Sequence, residues 1–127
     1  MIKRINTEKA PKAVGPYSQA IQAANFVFTA GQLPIDPVSG KMIEGGIGEQ
    51  ARQVMENLES VLRAANSDFS RVVKATVYLS DIKNFAEFNK IYGEYFPSER
   101  PPARSAFQVA ALPLGALVEI ELVALVE

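Results

Sequence analysis

Arg104 is the first residue that could do chemistry. It follows Pro101-Pro102-Ala103, a stiff lead-in, because each proline locks its own φ and restricts the residue before it. A guanidinium grips a carboxylate through two parallel hydrogen bonds, and the carboxylate can belong equally to a bound ligand or to a glutamate across an interface. Glu119 and Glu121 form the second candidate. Two residues apart on a strand, they point to one side roughly 6.5 to 7 Å apart, far enough to act singly and close enough to oppose double ionisation in a dry site. Solvated or ion-paired glutamates would show the same spacing. The 127 residues include no histidine and no cysteine, so the usual base at neutral pH, the usual thiolate nucleophile and the commonest transition-metal ligands are missing. Chemistry falls to arginine, carboxylates, hydroxyls, amides and backbone, and no metal site is expected.

The elements that must position these residues follow from apolar periodicity. Ala51, Val54, Met55, Leu58, Val61, Leu62 and Ala65 recur at helical spacing, which predicts a helix over 49–65 with one stripe on a core. Asn66-Ser67-Asp68 ends it, and 72–79 alternates Val73, Ala75, Val77 and Leu79 against Lys74, Thr76 and Tyr78 as a strand. A second helix is expected from Asn84, whose spacing to Glu87 suits a capping box, with Phe85, Phe88, Tyr92, Tyr95 and Phe96 as a core stripe up to Pro97. Asn89 shares that face, and its amide either ties down a loop or meets a ligand. Stretches 18–23 and 26–30 read as a hairpin turning through Ala24-Asn25, where Asn25 tolerates a left-handed turn. The glycines of Gly45-Gly46-Ile47-Gly48 supply flexibility before a helix; no Gly-Lys-Ser/Thr follows to make a phosphate loop.

The last strand, 117–126, puts Val118, Ile120, Leu122, Ala124 and Val126 on one apolar face. Its other face mixes Leu117, Glu119, Glu121, Val123 and Leu125, too apolar for water and too acidic for a monomer core, which predicts a subunit interface. One domain spanning 1–127 suits the length. A net charge of −1 without a lysine or arginine run makes nucleic acid an unlikely partner. No stretch approaches the ~20 apolar residues of a membrane span and no signal-peptide pattern opens the chain, so a cytoplasmic protein is expected.

Four separated motifs then stand together: Gly15-Pro16-Tyr17-Ser18-Gln19-Ala20, Gly31-Gln32-Leu33-Pro34, Pro102 to Val109 with Leu112-Pro113, and Glu119-Ile120-Glu121. In this order, over nearly the whole chain, they resemble the RidA family, also called YjgF-like. The resemblance implies a chorismate-mutase-like α+β fold, β-β-α-β-α-β-β, with two helices on one face of a mixed sheet. It also implies a homotrimer around a central barrel, with sites in the clefts between subunits. The implied activity is 2-iminobutanoate/2-iminopropanoate deaminase: hydrolysis of reactive imines such as 2-aminoacrylate to 2-keto acids and ammonia, with no cofactor. On that pattern Arg104 anchors the substrate carboxylate and Glu119 activates water and relays protons. Tyr17, Gly31 and Asn89 line the pocket. Ala30 and Ala106 depart from the serine and cysteine that many members carry. The family's breadth leaves other readings: a non-catalytic binder of small carboxylates, a regulatory or chaperone-like trimer and, less readily, a ribonuclease or translation inhibitor.

Overall fold

The computed structural model describes residues 1–127. Eight main elements run in the order β1 (Ile2–Ile5), β2 (Ala20–Ala23), β3 (Phe26–Thr29), α1 (Ile47–Ala64), β4 (Val72–Leu79), α2 (Phe85–Gly93), β5 (Ala103–Gln108) and β6 (Val118–Leu125). The strands make one mixed sheet ordered β1-β2-β3-β6-β4-β5, in which β4 and β5 run parallel and every other pair antiparallel. Both helices cover the same face. Val54, Met55, Leu58, Val61 and Leu62 of α1 and Phe88 and Tyr92 of α2 share one core with Ala75, Val77 and Leu79 of β4 and with Val118, Ile120, Leu122 and Ala124 of β6. The α+β architecture is the one expected.

Several local expectations are corrected. The succession has one strand more, because Ile2–Ile5 pairs with β2 as an edge strand; three of its four residues are exposed, so it lacks the alternation that would mark it. In β4 a bulge between Val72 and Lys74 buries Val72 and turns Val73 outward, reversing the expected placement of Val73. The residue with positive φ in the β2–β3 hairpin is Ala24, at 53°, and Asn25 is not in that region. Asn84 caps nothing, since it is already helical at φ −81° and ψ 0°. Asp81 performs that role, accepting the Lys83 N–H at 2.9 Å to open a 3-10 turn that runs into α2. The helix stops at Gly93, and Tyr95 and Phe96 pack beyond it, with Phe96 edge-on to Phe69 at 5.3 Å.

Candidate active site

The sheet's pleat decides where each candidate side chain goes. Arg104 pairs with Ala75, which pairs with Leu122 on its other side, and both partners are buried under the helices. Arg104 therefore leaves the sheet on the helix side. There its Nη1 donates to Asn89 Oδ1 at 2.8 Å, and its Cζ lies 5.2 Å from the Phe85 ring centroid and 4.8 Å from that of Tyr92. Arg104 pairs with no carboxylate of its own chain; the ion pairs are Arg52–Glu94, Arg63–Glu59 and Arg71–Glu127. A cavity of about 520 Å³ opens beside it, with Asn89, Tyr92, Ser98, Pro101 and Pro102 in its lining. The Tyr92 hydroxyl is buried without a partner. Burial pushes its pKa up to about 12, against the opposing effect of the Arg104 charge.

Glu119 lies on the other face. It pairs with Tyr78, whose second neighbour is Phe107, and this row points away from both helices. Gln32 and Ile120 exchange backbone hydrogen bonds of 2.9 and 3.3 Å, which press Gly31 against the Glu119 side chain. A Cβ at position 31 would overlap the Glu119 carboxylate and sit 3.1 Å from its Cγ, so the absent side chain is what seats this acid. A second cavity, of about 640 Å³, is lined by Lys12, Tyr17, Gly31, Leu33, Leu114 and Glu119. Burial first, and the Glu121 charge second, hold the Glu119 carboxyl above its ordinary value. Glu121 itself accepts the Tyr78 hydroxyl at 3.0 Å. Burial and then that hydrogen bond push the Tyr78 hydroxyl upward.

Of the five residues singled out in the sequence, Tyr17, Gly31 and Glu119 thus come together, as do Arg104 and Asn89. The two groups do not meet within one chain: they occupy opposite faces, on strands separated by β4. Ala30 lines the Glu119 cavity, whereas Ala106 faces the helices and packs on the core. Phe85 and Tyr92 were read only as core, yet they touch Arg104; their spacing from Asn89, at 85, 89 and 92, places all three on one helical face and was the available signal. No group of three or more Asp or Glu side chains is placed to hold a metal ion.

The family described as Endoribonuclease L-PSP matches residues 7–126. A RutC family protein of Pyrococcus horikoshii is 52% identical over 120 residues, covering 94% of each chain. The 2-iminobutanoate/2-iminopropanoate deaminase of Bos taurus is 51% identical over 122 residues, which is 96% of this chain and 88% of the relative. The crystal structure of Escherichia coli TdcF with bound serine superposes with a TM-score of 0.92 at 37% identity, covering 98% of this chain and 99% of the other.

Proposed function

The chain belongs to the Endoribonuclease L-PSP family, the RidA or YjgF-like family of its sequence motifs, and from that membership we propose that it is an imine deaminase. It hydrolyses 2-imino acids, including the imine form of 2-aminoacrylate, to 2-keto acids and ammonia. The observation that carries the reading is the Arg104 guanidinium, held by Asn89 beside an open cavity and facing no carboxylate of its own chain. Such a fork takes the carboxylate of an amino-acid-derived substrate. The reaction follows from the deaminase relatives at about half identity over nearly the full chain.

The two half-sites lie on opposite faces, and the face without helices exposes Phe26, Phe28, Phe107 and Leu125. Three such faces around a common axis would bury this surface and bring Arg104 of one subunit to Glu119 of the next. In that cleft Arg104 holds the substrate carboxylate and Tyr17 walls the pocket. Water, oriented by Glu119, adds its oxygen to the carbon of the protonated imine and gives a proton to the carboxylate, while the π electrons of the carbon–nitrogen bond move to nitrogen and leave an amino alcohol. Glu119 then passes its proton to that amine; as the carbon–nitrogen bond breaks, the hydroxyl gives its proton to Glu119 and becomes the carbonyl of the 2-keto acid, and ammonia takes that proton away as ammonium. A carboxylate held above its ordinary proton affinity suits this two-way relay. The protein would work in the cytoplasm, disposing of imines released by amino-acid-processing enzymes.

A coupled assay tests this: an amino-acid-processing enzyme generates the imine, and semicarbazide traps what survives. Wild type should speed keto-acid formation. Arg104→Ala should lower kcat/KM roughly 10- to 100-fold per charged hydrogen bond lost, and Glu119→Gln should lower kcat roughly 10²- to 10⁴-fold. Wild type inert on several imines would sink the reading. The serine in TdcF favours one rival, a binder of small carboxylates without turnover. That rival predicts no turnover in the wild type and ligand binding unchanged in Glu119→Gln.

A further inference from the structure

Arginine carries a long, flexible side chain, and a carboxylate receptor works only if its fork is already aimed. Asn89 takes one N–H, at 2.8 Å, which leaves the plane of the guanidinium free to turn about that contact. Two rings remove this freedom. Phe85 and Tyr92 stand four residues before and three after Asn89 on α2, with their centroids 5.2 and 4.8 Å from Arg104 Cζ, inside the roughly 6 Å range of a cation–π contact. Phe85 is half-buried, and Tyr92 is buried. The Tyr92 hydroxyl bonds to nothing, so what this position contributes to Arg104 is its ring.

We propose that Phe85 and Tyr92 form an aromatic clamp that sets the direction of the Arg104 guanidinium, making them positioning residues for carboxylate recognition. The inference rests on the imine deaminase reading but is tested apart from it, by pairing steady-state kinetics with calorimetric titration of 2-oxobutanoate, a carboxylate ligand that needs no turnover. Tyr92→Leu and Phe85→Leu should each raise KM and the Kd for 2-oxobutanoate roughly 3- to 30-fold, with kcat changed by less than about twofold. Tyr92→Phe should restore both constants. In an Arg104→Ala background, Tyr92→Leu should add no further loss, because the clamp acts only through the guanidinium. Folded Tyr92→Leu protein with wild-type KM and Kd would overturn the clamp, as would Tyr92→Phe as defective as Tyr92→Leu. Should Tyr92→Leu fail to fold, Phe85→Leu, at a less buried position, carries the same test. A wild type without turnover whose 2-oxobutanoate binding weakens in the leucine variants defeats the deaminase reading and leaves the clamp standing. A wild type that neither turns over nor binds defeats both.

Discussion

Glu119 shows how a single side chain acquires its chemistry from its surroundings. Gly31 leaves room for its carboxylate, burial raises its proton affinity, and the neighbouring Glu121 raises it further. The sign of a pH effect follows. As the base that receives the water proton, Glu119 must start ionised, so kcat/KM rises with pH through a pKa raised above the ordinary glutamate value. Glu121→Gln removes the second cause, so the rise should move to lower pH, and a kcat/KM profile of the two proteins measures it. A rise that stays in place would mean that Glu121 does not act on Glu119. That Arg104 and Glu119 were candidates was legible from residue type, because a chain without histidine or cysteine leaves few groups able to anchor and relay; their roles as anchor and relay came from the family resemblance alone. Their places on opposite faces were not, since for Arg104 this depends on the register of β5 against β4, set by long-range pairing.

Elements whose burial is one-sided were legible at nearly their observed bounds. α1 spans 47–64 against an expected 49–65 and β4 spans 72–79 as expected, because α1 presents an unbroken stripe to the core and β4 alternates regularly from Lys74 onward. What escaped were departures from ideal geometry: the exposed edge strand β1, the bulge at Val73, and the capping before α2 and its end at Gly93. In each case tertiary pairing or local backbone shape overrides the pattern. The start of α2 can be tested directly. Asp81 accepts the Lys83 N–H through its side chain, whereas Asn84 makes no such bond. Asp81→Ala should therefore cost about 1 kcal/mol of stability in urea denaturation, while Asn84→Ala should stay within about 0.5 kcal/mol of wild type. Equal losses, or a larger one at Asn84, would return the cap to the residue that the sequence pattern favoured.

At the scale of the whole molecule, the two-faced last strand is the sequence feature behind the proposal that the working unit holds more than one chain. Its acidic and apolar outer face is left uncovered by both helices, and Glu119 sits on it beside a row of exposed aromatics. The fold is what motivates the proposal of a cleft shared between chains: β4 separates the strand of Arg104 from that of Glu119, and the two side chains leave the sheet in opposite directions. If each cleft takes Arg104 from one subunit and Glu119 from the next, two dead proteins can repair each other. Arg104→Ala supplies intact Glu119, and Glu119→Gln supplies intact Arg104. Unfolding an equal mixture and refolding it together would distribute the subunits at random around a closed ring. A given cleft is then intact when its arginine donor is the glutamine variant and its glutamate donor the alanine variant, two independent halves, so about one quarter of wild-type activity should return. Each variant refolded alone should stay inactive, and the same variants mixed without unfolding should stay so until subunits exchange. Recovery near that fraction would establish that the site is divided between chains. A refolded mixture no more active than its parts would place the whole site in one chain, against the separation that the sheet imposes.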